Sequence, residues 1–195
     1  MRVGVLALQG DFREHLGVVE RLGHEGVAVR SPEELESVSA LIIPGGESTT
    51  IGRLATIYGL IEPLRDRIES GMPVLGTCAG MIFLATATTG VDQPQLGVLD
   101  AVVERNAFGR QVDSFETAID VSGLDAPIHG VFIRAPWIEK VGGSVDVLAT
   151  IPDRAGGQDR PVVVRQGNII ATSFHPELTT DDRLHELFLA GVAGD

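Results

Sequence analysis

The chain has 195 residues, of which 44% are apolar and 22% are charged, and this size and composition suit one domain around one hydrophobic core. Fifteen Lys and Arg against 27 Asp and Glu give a formal net charge of -12, which argues against binding to nucleic acid or to an anionic membrane, because both require positive charge. The single cysteine excludes an intrachain disulfide and fits a reducing, cytoplasmic compartment.

The first half of the chain predicts alternating strands and helices. Val3–Leu8 is a short apolar run typical of a buried parallel strand, and it is too short for a signal peptide or a membrane span. Asp11–Leu22 has the spacing of an amphipathic helix, and Ser31 begins another helix with the sequence of an N-cap. The other predicted elements are strands at Val27–Val29, Ala40–Ile43 and Pro73–Leu75, and helices at Ser48–Tyr58, at Glu62–Ser70 and from Met81. This alternation favours an open α/β fold with a parallel central sheet.

The second half predicts mainly strands, some of them antiparallel. The β-rich segments are Leu99–Glu104, Val112–Ile119, Gly130–Ile133, Val145–Ile151, Val162–Arg165 and Ile169–Ser173. Asp181–Val192 predicts a final helix, and the polar, Gly-rich stretch Pro152–Arg160 predicts an exposed loop. No linker is long enough to divide the chain, so we predict a single domain over residues 1–195. Its mostly parallel central sheet has flanking helices and additional antiparallel strands in the second half.

The only cysteine follows a predicted strand in the sequence Gly76-Thr77-Cys78-Ala79-Gly80. A glycine on each side of a nucleophile between a strand and a helix is typical of a nucleophile elbow, where a Cβ would clash with neighbouring backbone. The following helix points amide N–H groups at the thiol, which favours a thiolate and supplies an oxyanion donor. The elbow alone leaves two interpretations open, a catalytic thiol and a small buried side chain.

A catalytic thiol also requires a base, and His175 is the best placed of the five histidines. It follows a predicted strand, so it would lie at the same sheet edge as Cys78, and Glu177 can turn back to orient its ring. An isolated His-Pro-Glu is more typical of a capped turn. The remaining histidines are interpreted as surface or local structural residues (His15, His24), a turn residue before a strand (His129) and a residue of the last helix (His185).

Taken together, these motifs resemble those of the class I, triad-type glutamine amidotransferases, whose fold is flavodoxin-like. Within that class the chain is similar to the family of glutaminase subunits of pyridoxal 5′-phosphate synthase. The resemblance covers nearly the whole chain, and its motifs occur in the same order. The segments that carry it are Gly4–Gly10, Arg13–His15, Leu41–Thr50, Gly76–Gly80, Val103–Gln111, Val131–Pro136 and Ser173–Leu178.

The resemblance implies roles for individual residues. Cys78 would be the nucleophile, His175 the base and Glu177 the third triad member, while the backbone N–H groups of Gly46 and Ala79 would form an oxyanion hole. The residues implied in glutamine binding are Gly46, Glu47, Ser48, Arg105, Ile133 and Arg134. Taken alone, each of the two arginines would more simply be a surface ion-pairing residue. His15 belongs to a family-like segment but has no derivable role beyond an interface or structural one.

The resemblance also implies an activity and a partner. The chain would hydrolyse L-glutamine to L-glutamate and ammonia through a glutamyl thioester, with no metal and no cofactor. A (β/α)8 subunit of pyridoxal 5′-phosphate synthase, in a large hetero-oligomer, would use the ammonia with ribose 5-phosphate and glyceraldehyde 3-phosphate. Pyridoxal 5′-phosphate (vitamin B6) would then be the product of the complex.

Three alternative functions remain open from the residues themselves. The same triad could serve another synthase, such as imidazole glycerol phosphate synthase; the elbow could belong to a peptidase or a redox-sensing protein; or the chain could be a non-catalytic binding subunit.

The sequence departs from the family pattern at Asp146–Arg165, which is longer than the usual family turn, with Pro152–Arg160 as the predicted insertion. It leaves the triad untouched and puts only the local loop shape in doubt.

Overall fold

Twelve strands are present in the computed structural model, which describes residues 1–90, 92–105, 114–153 and 157–192. In chain order the strands are β1 (Arg2–Leu6), β2 (Glu25–Val29), β3 (Ala40–Ile43), β4 (Val74–Thr77), β5 (Ala85–Thr89), β6 (Leu99–Glu104), β7 (Phe115–Ile119), β8 (Ile128–Phe132), β9 (Trp137–Val141), β10 (Asp146–Ile151), β11 (Arg160–Gln166) and β12 (Ile169–Thr172). The α-helices are α1 (Phe12–Arg21), α2 (Pro32–Glu36), α3 (Ser48–Ile57), α4 (Ile61–Glu69), α5 (Ala79–Leu84) and α6 (Arg183–Val192), and a 3₁₀ turn covers Pro176–Leu178.

The central sheet has seven strands in the order β10-β11-β12-β4-β3-β1-β2. Strands β2, β1, β3, β4 and β12 are parallel, whereas β11 and β10 extend the sheet as antiparallel strands. The five parallel strands have the flavodoxin-like order, in which β12 takes the fifth position. The predicted fold class is therefore confirmed.

Each face of the central sheet is covered by a different set of elements. One face packs against α1, α6 and the antiparallel pair β7–β8, with Val19, Phe132 and Phe188 in its core. The other face packs against α2 to α5 and against a small sheet of order β5-β6-β9. Because both faces are covered, the parallel strands are almost continuously apolar, as β3 (Ala-Leu-Ile-Ile) illustrates.

Most predicted boundaries lie within a few residues of the observed ones. The N-cap at Ser31 is confirmed in detail: its side chain accepts from the Glu34 amide, and the Glu34 carboxylate accepts from the Ser31 amide. In the predicted strand Val112–Ile119, residues 112 and 113 lie outside the described residues, and the observed strand β7 begins at Phe115.

Several predictions about elements and histidines were wrong or incomplete. Two strands were missed, β5 and β9. The helix that was predicted from Met81 begins at Ala79 and ends at Leu84, where a run of Thr residues favours an extended chain because β-branched side chains crowd a helix. His129 lies within β8 rather than in a turn. His15 is completely buried, so the surface interpretation of that residue is wrong.

The loop predicted at Pro152–Arg160 connects the antiparallel strands β10 and β11, and Arg160 is already the first residue of β11. Residues 154–156 lie outside the described part. Next to them, the Arg160 guanidinium is 3.2 Å from an Asp153 carboxylate oxygen, which ties the base of the loop together.

Among the described residues, no helix combines the length and apolar character needed to cross a membrane.

Candidate active site

Cys78 lies directly after β4 in a strained backbone conformation. Its φ of 48° and ψ of -104° fall in a region that residues with a Cβ rarely adopt. The Cys78 amide donates to the Thr172 carbonyl of β12 at 2.8 Å, and helix α5 begins at the next residue. The side chain is nearly buried, with 7% of the residue exposed. This geometry is that of the predicted elbow.

The two glycines of the elbow allow α5 to approach the sheet closely. A Cβ at Gly80 would collide with the Ile43 carbonyl oxygen at the end of β3. A Cβ at Gly76 would lie 2.5 Å from the Leu84 side chain and 3.1 Å from the Gly80 backbone. The backbone clash expected from the sequence therefore exists at Gly80, while at Gly76 the nearest obstacle is a side chain.

His175 reaches Cys78 because β12 pairs with β4, with Thr172 opposite Thr77. The chain continues past β12 to His175, whose amide donates to the Val131 carbonyl at 2.9 Å, so β8 also fixes the position of this residue. Burial by itself lowers the pKa of His175. Hydrogen bonds and charge interactions with Cys78 and Glu177 outweigh burial and raise that pKa to about 10, so the imidazole holds a proton at neutral pH.

Glu177 orients the His175 ring from behind. Its Oε1 is 2.7 Å from His175 Nδ1, and its side chain is fully buried. Burial raises the pKa of Glu177, whereas the hydrogen bond from His175 and its charge oppose that rise. A second carboxylate, Asp11, places Oδ2 at 3.5 Å from the same nitrogen. The ligand atoms of Asp11, His175 and Glu177 lie within 4.8 Å of one another and form the one potential metal-binding group among the described residues.

An open pocket of about 410 Å³ lies over Cys78, a volume suited to a small polar molecule. Except for Glu177, which stands behind His175, the structure brings every predicted site residue to its wall: Cys78, Ala79, His175, Gly46, Glu47, Ser48, Arg105, Ile133 and Arg134. Gln9, Asp11, Ile82 and Pro136 complete the wall beside them. The loops after β1, β3, β4 and β12 all contribute, which is the usual ligand position in an open α/β sheet.

The turn after β3 lies in close contact with two side chains of the site, those of His175 and Gln9. A Cβ at Gly45 would collide with the His175 ring, and a Cβ at Gly46 would lie 2.5 Å from Gln9 Oε1. Gln9 Oε1 also accepts a hydrogen bond from the Glu47 amide at 2.6 Å. Because both residues are glycines, the backbone itself lines the pocket here, and a side chain at either position would displace His175 or Gln9.

Glu47 caps helix α3 and holds Arg105 in the pocket. Its carboxylate accepts from the Thr50 hydroxyl, from the amides of Thr50 and Thr49, and from Arg105 Nη2, the last at 2.8 Å. Burial tends to raise the pKa of Glu47, but these hydrogen bonds and the Arg105 charge outweigh it and lower the pKa to about 2. The buried Gln93 completes the cluster, because its Oε1 accepts from Arg105 Nη1 at 3.1 Å and from Ser48 Oγ at 3.0 Å.

Ile133 and Arg134 form the opposite rim, directly after β8. Both are exposed, and Arg134 has a positive φ of 43°. Non-glycine residues held in strained conformations cluster at active sites and ligand clamps.

Besides the pocket-lining Ile82 and Pro136, four residues in or next to the site were not predicted as site residues. Gln9 and Asp11 lie in the loop after β1, and their position after a parallel strand was a usable signal. Gln93 lies in an irregular segment, and His15 lies on α1, whose pattern is that of an ordinary amphipathic helix. Gln93 has no local signal, and His15 has none beyond its place in the family-like segment Arg13–His15.

Comparison with known proteins gives a consistent picture. The model of the SNO glutamine amidotransferase family matches residues 5–193. A curated relative from Nocardioides sp., named pyridoxal 5′-phosphate synthase subunit PdxT, is 58% identical over 189 residues, covering 96% of this chain and 94% of the relative. A relative of the same name from Moorella thermoacetica is 54% identical over 190 residues, covering 97% and 98%.

Solved structures also match. One that is described as a glutamine amidotransferase superposes with a TM-score of 0.91 at 56% identity, covering 98% of both chains. The PurLQS structure from Thermotoga maritima matches with a TM-score of 0.74 at 17% identity, covering 97% of both chains, and at that identity it supports the fold alone.

Proposed function

The chain belongs to the SNO glutamine amidotransferase family, and from that premise we propose that it hydrolyses L-glutamine to L-glutamate and ammonia at Cys78, His175 and Glu177. The observation that carries the proposal is the strained Cys78 at the end of β4, joined to His175 and through it to Glu177 at 2.7 Å. A thiol next to a base, with a carboxylate that orients the base, is the arrangement used for nucleophilic acyl transfer.

In the proposed mechanism, glutamine enters the pocket with its side-chain amide over Cys78. The thiolate attacks the amide carbon, and the backbone N–H groups of Gly46 and Ala79 stabilise the oxyanion. His175 carries the proton taken from the thiol and donates it to the leaving ammonia, so a γ-glutamyl thioester remains. Water then gives a proton to His175 and attacks the thioester, which releases glutamate and restores the thiol.

The far end of glutamine carries an α-carboxylate and an α-ammonium group, so the pocket must offer both signs of charge. Arg105 supplies a cation whose position is fixed by Glu47 and Gln93, and Arg134 supplies a second on the opposite rim. Ser48 and Ile133 would shape the slot between them.

The names of the relatives support a role for the ammonia. Free ammonia is protonated in bulk water, so a direct transfer to a second subunit would preserve the nucleophile. The proposed acceptor is the (β/α)8 subunit of pyridoxal 5′-phosphate synthase in a hetero-oligomer, which would combine the ammonia with ribose 5-phosphate and glyceraldehyde 3-phosphate. A cytoplasmic location belongs to the same proposal, since a chain with a single cysteine fits a reducing compartment.

A glutaminase assay tests the proposal, with the chain alone and with its cognate (β/α)8 subunit. We expect glutamate release that rises when the partner is present and that disappears in Cys78→Ala. His129→Gln, a substitution at an exposed histidine of β8, is the matched control and should retain full activity. Wild-type activity in Cys78→Ala would refute the triad, and activity that is identical with and without the partner would refute the coupling to a synthase.

A further inference from the structure

Two buried histidines lie behind the triad and have no part in the mechanism described above. His15 of α1 and His185 of α6 are both fully buried, and the Nδ1 of His15 is 3.0 Å from the Nε2 of His185. The two residues are 170 positions apart in the chain. A buried polar pair of this kind requires explanation, because two apolar side chains would fill the same space without desolvation cost.

The other nitrogen of His15 faces the triad. His15 Nε2 is 3.1 Å from Thr77 Oγ1, next to Cys78, and 3.4 Å from Glu177 Oε2. That carboxylate oxygen is buried and has no hydrogen bond within the described part of the chain. His15 is therefore the group placed to satisfy the oxygen of Glu177 that His175 does not use.

The direction of the hydrogen bonds follows from the protonation states. Burial lowers the pKa of His185 to about 4 and lowers the pKa of His15 well below its usual value, so both rings are neutral at pH 7. His185 Nδ1 is buried without a partner in the described residues. An orphaned N–H is rarer in proteins than an unused acceptor, so the proton of His185 belongs on Nε2.

This tautomer determines the next one along the chain. With its proton on Nε2, His185 donates to His15 Nδ1, and the single proton of neutral His15 must then reside on its Nε2. His15 consequently donates to Thr77 Oγ1 at 3.1 Å and directs the same N–H toward Glu177 Oε2 at 3.4 Å. The donors form a path from His185 through His15 to Glu177, and His175 donates to Glu177 from the other side, at Oε1.

We propose that His15 is a positioning residue of the triad, which holds Glu177 in the orientation that His175 requires, with a tautomer set by His185. The inference rests on the proposed glutaminase function for its kinetic consequences, but its geometry does not. The charged and titratable groups that face this path are Asp11 and His175 at the triad end, and the ion pair of Arg21 with Asp182 at the His185 end.

Two substitutions of nearly equal size separate positioning from packing. Gln at position 15 can place an amide N–H where imidazole Nε2 was, whereas Asn reaches only the Nδ1 position beside His185. We expect His15→Asn to lower kcat about tenfold with KM little changed, because the Glu177 carboxylate loses the N–H that faces its buried Oε2 at 3.4 Å. His15→Gln should recover most of that loss. Leu184→Ala, a core truncation on α6 next to His185, is the control for a general loss of stability.

The pH profile gives the distinguishing readout. A donor to the carboxylate lowers the pKa of Glu177, so its loss raises that pKa and shifts the acidic limb of kcat/KM to higher pH. We expect this shift of the acidic limb in His15→Asn, but not in His15→Gln or Leu184→Ala. Equal shifts in His15→Asn and Leu184→Ala, or an unchanged profile in His15→Asn, would overturn the proposal.

Two measurements do not depend on glutamine hydrolysis. Cys78 is the only cysteine, so the pH dependence of its alkylation by iodoacetamide reports the same path, and it should shift in His15→Asn as the kinetic profile does. Imidazole ¹⁵N chemical shifts of the wild-type chain should place the protons of His15 and His185 on Nε2; protons on Nδ1 would refute the path. If glutamine is not hydrolysed at all, the proposed function fails, and these two results still decide the role of His15.

Discussion

Replacing Glu177 by Gln removes a charge from the triad with almost no change of shape. Glu177 Oε1 is 2.7 Å from His175 Nδ1 in a fully buried position. A hydrogen bond between charged groups contributes about 1.5–3 kcal/mol, and each 1.4 kcal/mol corresponds to about tenfold in rate. We therefore expect kcat of Glu177→Gln to fall by roughly 10- to 150-fold, with a smaller effect on KM because Glu177 does not line the pocket.

The same substitution should alter the pH dependence in a defined direction. Glu177 helps to raise the pKa of His175 to about 10, against the effect of burial. Without the carboxylate, that pKa falls, so the proton is lost from His175 at a lower pH and the basic limb of the profile moves down. Steady-state glutaminase kinetics with the partner subunit, at intervals of about half a pH unit between about pH 5 and pH 10.5, measure both the fall in kcat and the displacement of the basic limb.

Two opposing effects set the stability of this variant. Burial raises the pKa of Glu177 above its unfolded value, so burying its charge costs stability at neutral pH, whereas the same carboxylate helps to raise the pKa of His175 to about 10 and so stabilises the buried imidazolium. Because removing one partner of a buried charged pair leaves the other unpaired, we expect the thermal midpoint of Glu177→Gln at pH 7 to lie below that of the wild type, and the difference to shrink as the pH rises through about 10. The reasoning is refuted if kcat is unchanged, or if the difference in thermal midpoint does not depend on pH.

Glu116→Gln is the matched control for this experiment. Glu116 also contacts a histidine at 2.7 Å, His129, but both side chains are more than half exposed. Exposed pairs of this kind contribute about 0–1 kcal/mol. Activity and the pH profile should therefore be those of the wild type.

Three further predictions concern the pocket. Gly45→Ala should reduce kcat at least about 100-fold, because a Cβ there collides with the His175 ring; Gly17→Ala, on α1 with its nearest neighbour at 3.7 Å, should retain activity, and an active Gly45→Ala would contradict the close contact. Gln93→Leu should raise the KM for glutamine about tenfold with little change in kcat, since Arg105 loses a buried acceptor; an unchanged KM would show that Gln93 does not position Arg105. Glu47→Gln should lower the unfolding free energy at pH 7 by about 1 kcal/mol, as expected for a weakened N-cap. Because the folded pKa of Glu47 is about 2, that difference should persist above pH 4.5 and vanish as the pH approaches 2; a constant difference in urea unfolding across this range would contradict the assignment.

Residues that follow the parallel strands could be predicted from the sequence, because both their local motif and their place in the fold are visible there. Cys78, Gly46 and His175 each follow a short apolar run, and parallel strands bring such positions to one edge. The pairing of β12 with β4 then supplies the contact that the motifs require.

The supporting residues could not be predicted in this way. His15 approaches Thr77 across 62 positions and His185 across 170, and Gln93 approaches Arg105 from an irregular segment. Such contacts depend on how helices and loops pack on the sheet, which short-range patterns do not specify. The missed strand β5 has a similar cause, because its Ala-Thr-Ala-Thr-Thr sequence is neither strongly apolar nor bounded by turn residues on its N-terminal side.

The insertion of β12 between β4 and β11 has a consequence for biogenesis. Cys78 leaves the ribosome long before its base, and its amide finds the Thr172 carbonyl only after β12 has been synthesised and has entered the sheet. Pairing between segments so distant in the chain is a slow step in folding. A nascent or truncated chain would therefore carry Cys78 without His175, and the proposed hydrolysis would become possible only after the last strand has paired.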